Sequence, residues 1–131
     1  MKRRNLLLAT AAAVLLSSCA HLTGRVAGDA PVGVLITHDG DVAVSRDPIY
    51  VKKATTLVWR LPRLGNFTFA RNGIVVHDAP EGEFRCAASE DARVFTCEDR
   101  YSRPGRYKYS VNVLADGKPL PPLDPFVVNG L

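Results

Sequence analysis

Two histidines of the chain are each followed directly by an aspartate, and such pairs could take part in acid–base catalysis. The pairs are His38–Asp39 and His77–Asp78. An imidazole beside a carboxylate suits proton transfer to or from a substrate. His38, however, lies in a predicted hairpin turn, and His77 ends a predicted strand just before a turn. We therefore expect both histidines to be solvated turn residues.

Basic and aromatic side chains are concentrated in residues 100–108, which makes this segment a candidate binding site. Arginine side chains beside aromatic rings can hold carboxylates, phosphates or sugar rings. The candidate ligand-binding residues are Arg100, Tyr101, Arg103, Arg106 and Tyr107, with Lys108 beside them. The alternative, which we favour, is that these charges are simply solvated on a loop and on an outward strand face. Arg60 and Arg63 would extend the patch only if their strand lies alongside.

Other signatures of site chemistry are missing from the sequence. Gly-x-Ser-x-Gly, His-Glu-x-x-His and glycine-rich phosphate loops do not occur. We predict no catalytic residue, no cofactor and no enzymatic activity. The alternative is a small envelope hydrolase, or another enzyme, that uses the loop His and Asp residues. Convergent His, Asp or Glu side chains in a deep pocket would favour that alternative.

The first eighteen residues have the composition of a signal peptide. Lys2, Arg3 and Arg4 form a positive segment, and the run from Leu6 to Leu16 contains no charge. A helix of about eleven residues covers roughly half of a 30 Å hydrocarbon core, which is too short to span it. The length suits the apolar region of a signal peptide. We expect export by the general secretion route. A twin-arginine signal is the alternative, but the Ser or Thr that precedes the arginines in that motif is absent before Arg3.

The residues Leu16-Ser17-Ser18-Cys19 resemble the bacterial lipobox, a sequence of one aliphatic residue, two small residues and a cysteine. The resemblance implies that the chain is cleaved before Cys19 and that the Cys19 sulfur carries a diacylglycerol. Ala20, rather than an aspartate, implies an outer-membrane anchor with the domain facing the periplasm. An ordinary signal peptide with a chance cysteine is the alternative.

Removal of this signal peptide would change the charge of the protein. The full chain has 17 Lys and Arg against 13 Asp and Glu, a net charge of +4. Cleavage after Ser18 removes three basic residues, and 14 against 13 leaves a net charge of +1. A nucleic-acid partner is not expected, because recognition of that kind needs a concentrated basic face.

Two cysteines remain after Cys19, and we expect them to form a disulfide. The periplasm is oxidising, and Cys86 and Cys97 enclose ten residues, which suits a hairpin and its loop. Phe84 lies on the same strand face as Cys86, and Phe95 lies on the same face as Cys97, so both sulfurs should face the core. A metal pair or a redox-active pair is the alternative.

The rest of the chain is predicted to be one all-β domain behind a tether. Residues 19–31 comprise the lipidated cysteine and a flexible linker, and residues 32–131 are long enough for a single domain. Asp39-Gly40 predicts a hairpin, and Arg71-Asn72-Gly73 predicts a second turn. Tyr107 to Val113 alternates most clearly between apolar and polar residues. About nine short strands at close spacing predict an antiparallel β-sandwich.

One segment resembles a strand of known sandwich folds. Pro104-Gly105-Arg106-Tyr107-Lys108-Tyr109 looks like the entry to a late strand of cupredoxin-like and immunoglobulin-like domains, and Leu57-Val58-Trp59 is similar to a mid-domain strand of that group. The resemblance implies a tyrosine that hydrogen-bonds back to the chain. The mature chain is also similar to small proteobacterial lipoproteins, which implies no particular activity.

The copper site of cupredoxins is not expected in this chain. A blue-copper site needs two His, one Cys and usually a weak Met ligand. No histidine follows His77, and Met1 is the only methionine. We therefore predict no metal. The predicted function is a membrane-anchored, non-enzymatic lipoprotein whose sandwich binds an envelope protein or an anionic envelope component.

Lipidation at Cys19 is directly testable. Intact-mass analysis of the membrane-extracted protein should show a chain that starts at Cys19 and carries added acyl mass. Cys19→Ser should release the protein from membranes, because no other acylation site is predicted. An unmodified soluble chain from native export, or unchanged membrane attachment of the variant, would contradict the prediction.

Overall fold

Ten β-strands, and no helix, form the part of the chain that the computed structural model describes, residues 29–130. The strands are Ala30–Ile36 (β1), Val42–Val44 (β2), Ile49–Val51 (β3), Thr55–Arg60 (β4), Phe67–Val76 (β5), Phe84–Ala88 (β6), Val94–Asp99 (β7), Gly105–Ala115 (β8), Lys118–Pro119 (β9) and Phe126–Asn129 (β10). The predicted signal peptide and Cys19 lie outside the described residues. Ala30 and Pro31, which we assigned to the tether, belong to β1. Within residues 29–130 no helix is long and apolar enough to cross a membrane.

The strands form two packed sheets, which confirms the prediction of an all-β sandwich. One sheet has the order β2-β1-β4-β7-β6, and the other has the order β3-β10-β8-β5, with β9 paired to β8. Both sheets are mixed, because β1 runs parallel to β4 and β3 runs parallel to β10. The expectation of a purely antiparallel sandwich is therefore corrected at these two pairs. Parallel neighbours cannot be joined by a tight hairpin, and here the chain visits the other sheet between β1 and β4.

The two turn predictions had different outcomes. The Asp-Gly hairpin is confirmed, since β1 and β2 pair antiparallel and Gly40 has a φ of 86°. The second predicted turn is instead a bulge within one strand, because β5 continues through it with a register shift between Phe69 and Ile74. The side-chain amide of Asn112 donates to the carbonyl of Asn72 at 2.7 Å. That bond ties the bulge to β8, which pairs with β5 on both sides of it.

The core contains three aromatic pairs, and in each pair one ring belongs to the first sheet and the other ring to the second. Ring centroids lie 5.2 Å apart for Trp59 and Tyr109, 5.5 Å apart for Phe69 and Phe95, and 5.3 Å apart for Phe84 and Tyr107. The indole N–H of Trp59 donates to the Tyr109 hydroxyl at 3.4 Å, and burial raises the pKa of Tyr109 to about 12. Each such pair adds about 0.5–1.5 kcal/mol beyond its buried area. The relative position of the sheets is thus set by specific contacts along their length.

A disulfide joins Cys86 on β6 to Cys97 on β7. The two residues are directly opposite each other, with Cα atoms 4.0 Å apart. The amide of Ser89 donates to the carbonyl of Val94, and alternation along the ladder then makes the cysteines a non-hydrogen-bonded pair. Cys97 is fully buried, whereas Cys86 is exposed on the edge strand. Directly opposite residues point to the same face of a sheet, so Cys86 faces the same side as Cys97, as expected, and only its position on the edge strand leaves it exposed.

Loss of this disulfide should lower the stability of the domain measurably. A loop of this length contributes about 3 kcal/mol in the chain-entropy account. At roughly 4–8 °C per kcal/mol for a domain of this size, the double variant Cys86→Ala/Cys97→Ala should melt about 10–20 °C lower. Thermal unfolding followed by circular dichroism measures the shift, and thiol labelling of the unfolded, unreduced wild type verifies the bond. Two free thiols, or an unshifted melting curve, would contradict the prediction.

Candidate functional site

The strand registers bring several chain segments together at one end of the sandwich, which we call the basal end. In the first sheet, Asp99 lies opposite both Thr55 and Phe84. In the second sheet, Asn129 lies opposite both Val51 and Gly105. The basal end therefore comprises the start of β1, the β3–β4 turn, the β5–β6 loop, the β7–β8 loop and Gly130. The candidate binding residues 100–103 lie in its β7–β8 loop.

A buried carboxylate holds the β7–β8 loop in place. Glu83 is only 2% exposed, and its side chain accepts hydrogen bonds from the Ser102 amide at 2.8 Å and from the Ser102 hydroxyl. Burial acts to raise the pKa of Glu83, but the bonds from Ser102 and the charge of Arg100 outweigh it and hold the pKa below its usual value. The ionised form of Glu83 is therefore the form that fits this loop.

A second buried carboxylate ties the same loop to the other sheet. One oxygen of Asp99 accepts hydrogen bonds from the Tyr101 amide and from the Asn129 side-chain amide, both at 2.9 Å. The other oxygen of Asp99 and the side-chain oxygen of Asn129 are buried without a hydrogen-bond partner among the described residues. Burial raises the pKa of Asp99, despite these hydrogen bonds, and the charge of Glu83 raises it further. Ionised Asp99 is therefore costly at this position.

Tyr107, near the start of β8, also holds the β7–β8 loop in place. Its hydroxyl donates to the backbone carbonyl of Arg103 at 3.1 Å, and its ring packs edge-on against Phe84. The hydrogen bond back to the chain, which the resemblance to sandwich domains implied, is confirmed for this tyrosine. Tyr107 is buried, so its predicted role as a ligand contact is corrected to a structural one.

The remaining predicted binding residues are placed differently from one another. Arg100 and Arg103 are exposed on the loop, whereas Tyr101 is half-buried and packs against the core. Arg106 is exposed on β8, and its guanidinium carbon lies 4.0 Å from the centroid of the Phe126 ring. The Arg106 guanidinium therefore already forms a cation–π contact within the protein. Arg100 and Arg103 are therefore the two members of the candidate site that are presented to solvent on the loop.

Two further lysines belong to the basal end, and the sequence interpretation missed them. Lys52 and Lys53 are exposed in the β3–β4 turn, and β3 reaches this end because it runs parallel to β10. Arg60, which we considered as an extension of the patch, lies opposite Val94 at the far end of β4. Adjacent lysines after a short strand are visible in the sequence, but the parallel pairing that positions them is not.

The first His–Asp pair is a solvated turn, as expected. The side chains of His38 and Asp39 are 103% and 90% exposed, and the His38 Nδ1 atom lies 3.7 Å from an Asp39 oxygen. The pair lies beyond the end of β1, on the opposite end of the sandwich from the basal end.

The second histidine is not the solvated turn residue that we expected, because it is half-buried and joins a hydrogen-bonded row of side chains on the outer face of β8. His77 Nε2 lies 2.7 Å from the Ser110 hydroxyl, and that hydroxyl donates to Asp124 at 2.7 Å. The Ser110 hydrogen bond, aided by the charge of Lys108, holds the pKa of Asp124 below its usual value. Since the one hydroxyl proton points to Asp124, His77 must be the donor to Ser110. In a Ser-His-Asp catalytic site the histidine instead accepts the serine proton. These hydrogen bonds therefore have a structural role, because they link the end of β5, β8 and the connector before β10.

Comparison with known proteins does not assign the chain to a family. No protein-family profile matches the chain, and a search of curated proteins finds no relative. Among residues 29–130, no group of three or more His, Cys, Asp or Glu residues is placed to hold a metal ion. The chemistry of the basal end must be inferred from its own residues.

The cost of burying Asp99 can be tested by removing its charge. Because the folded pKa is raised, the contribution of Asp99 to stability is fully present below its unfolded pKa and is lost as pH rises through the folded value. Asp99→Asn keeps an acceptor for Tyr101 and removes the charge, so it should be increasingly more stable than the wild type as pH rises. Urea unfolding between pH 4 and pH 8 measures the difference. A difference that does not change with pH would contradict the account.

Asp99→Ala is the matched control for this experiment. It removes the same charge as Asp99→Asn and also removes the hydrogen bonds to Tyr101 and Asn129. We expect it to be less stable than Asp99→Asn by about 1–3 kcal/mol, the typical cost of leaving buried polar groups unpaired.

Proposed function

We propose that the protein is an exported lipoprotein, anchored through Cys19, whose β-sandwich binds an anionic component of the cell envelope. The signal-peptide pattern and the lipobox resemblance support the location, with an outer-membrane anchor facing the periplasm. The binding site is the β7–β8 loop, with Arg100 and Arg103 as the residues that contact the ligand. The activity is recognition and not catalysis.

The observation that carries this proposal is the fixed conformation of the loop. Glu83 holds Ser102, Asp99 holds Tyr101, and Tyr107 holds the carbonyl of Arg103. Three consecutive loop residues are thus bonded to buried side chains, while Arg100 and Arg103 extend into solvent. A loop that is ordered before binding loses little conformational entropy when a ligand arrives.

The chemistry of the two exposed side chains indicates the class of ligand. A guanidinium offers several N–H donors in one plane and no acceptor, so it pairs best with carboxylate or phosphate oxygens. Glu83, the nearby carboxylate, is already occupied by Ser102. Arg100 therefore retains donors for an external anion while its charge also favours the ionised form of Glu83.

A titration with pyrophosphate tests the site. The membrane-extracted protein in neutral detergent should show saturable amide shifts centred on residues 100–103. Arg100→Gln/Arg103→Gln should weaken binding by roughly tenfold or more, because charge-assisted hydrogen bonds are among the strongest polar contacts.

The control is Arg63→Gln/Lys118→Gln, which removes the same charge from exposed residues at the other end of the sandwich. This variant should bind pyrophosphate as the wild type does. Equal loss of binding in both double variants would indicate a general charge effect, and shifts that avoid residues 100–103 would contradict the proposed site.

A further inference from the structure

The β7–β8 loop is continuous with a second cationic feature at the basal end. Gly130 connects the two, since its amide donates to the carbonyl of Val51 at 3.3 Å. A side chain at Gly130 would approach the Tyr101 hydroxyl to 3.3 Å and Pro104 to 3.2 Å. The end of β3 and the β7–β8 loop are therefore neighbours across one glycine.

The second feature is a shallow pocket of about 220 Å³ beside the end of β3. Its lining consists of Ala30, Tyr50, Val51, Lys52, Lys53 and Thr55. Tyr50 is 67% exposed, so its ring is open to a partner. Neither lysine forms a salt bridge with any group in residues 29–130. An exposed tyrosine beside two free lysines is the composition found where a protein meets the headgroup layer of a bilayer.

The position of the pocket relative to the chain indicates what covers it. Ala30 is the first residue of β1, so the segment that leads back to Cys19 enters the domain at this pocket. Ten residues separate Cys19 from Ala30, and even fully extended they reach only ~36 Å. A lipid on Cys19 would keep the basal end close to the membrane surface and make even weak contacts effective.

The distribution of exposed charge agrees with this orientation. At the basal end the exposed charged residues are Lys52, Lys53, Arg85, Arg100, Arg103 and Arg106 against Asp29, Asp78, Glu81 and Glu98. At the opposite end they are Asp39, Asp41, Glu90, Asp91 and Asp116 against Arg60, Arg63 and Lys118. The net charge of the exposed residues is therefore positive at the basal end, where the N-terminal segment enters the domain, and negative at the opposite end. An anionic surface attracts the first end and repels the second.

We propose that the basal end binds anionic phospholipid headgroups of the membrane that anchors the protein. Tyr50 lies at the headgroup level, Lys52 and Lys53 contact phosphates beside the pocket, and the β7–β8 loop continues the contact through Arg100 and Arg103. This identification of the partner rests on the proposed anion-binding function of that loop. It adds the pocket and fixes the orientation of the sandwich, with its acidic end directed away from the bilayer.

Paramagnetic broadening measures this orientation. The full-length protein is placed in nanodiscs that carry spin-labelled headgroups, with either phosphatidylcholine alone or added phosphatidylglycerol. Amides of residues 50–53 and 100–103 should broaden roughly fivefold more than amides at the opposite end in anionic discs, since each basic residue near such a surface adds appreciable attraction. The preference should decline in neutral discs and at high salt.

Charge reversal identifies the residues responsible. Lys52→Glu/Lys53→Glu should abolish the preference, while Arg63→Glu/Lys118→Glu, with the same charge change at the opposite end, should retain it. Equal broadening at both ends, or a preference unaffected by reversal at Lys52 and Lys53, would overturn the proposal. Mass analysis of the same preparation shows whether Cys19 carries the lipid, so loss of the anchor and loss of the orientation are distinguished. A normal pyrophosphate titration with no preference in anionic discs would leave the loop site standing and remove the bilayer as its partner.

Discussion

The carboxylate of Glu83 accepts hydrogen bonds from both polar groups of Ser102 at a place where almost no water reaches it. A buried charge is tolerated only when it is fully bonded, so the chain around Glu83 has little freedom to move. This constraint fixes the β7–β8 loop, and the exposed arginines of that loop owe their position to it. The candidate site is therefore a consequence of a structural bond rather than of a flexible surface.

The other polar contacts of the basal end extend the same constraint across the sandwich. Asp99 on β7 is bonded to Asn129 on β10, which connects the two sheets beyond their apolar core. The raised pKa of Asp99 and the lowered pKa of Glu83 have opposite consequences for stability. Glu83 stabilises the fold at higher pH and loses this contribution as pH falls, whereas Asp99 costs stability once it ionises.

The local features of this fold could be predicted from the sequence, and the long-range ones could not. The alternation from Tyr107 to Val113 and the Asp-Gly hairpin predict elements that the structure contains, since each depends only on neighbouring residues. The segment Arg71-Asn72-Gly73 was misread as a turn, because the bond from Asn112 that keeps the strand continuous comes from another strand. The exposure of Cys86 likewise follows from the position of β6 at the sheet edge, which strand parity cannot reveal.

The same distinction applies to the candidate site. The arginines beside tyrosines in residues 100–108 predicted the β7–β8 loop as the candidate site. Tyr107, however, is a buried residue that supports this loop. Lys52 lies near the loop only because β3 pairs parallel to β10. Glu83 was not predicted as a buried residue at all, because glutamate is almost always exposed. Its burial depends on Ser102, nineteen positions away.

Hydrogen exchange at the Ser102 amide tests the central claim most directly. If Glu83 fixes the loop, this amide should exchange slowly in the wild type, although Ser102 is itself exposed. Glu83→Gln, which keeps the shape but removes the charge, should accelerate exchange at Ser102 while amides in the centre of β8 remain protected. Rapid exchange at Ser102 in the wild type, or unchanged protection in Glu83→Gln, would contradict the account.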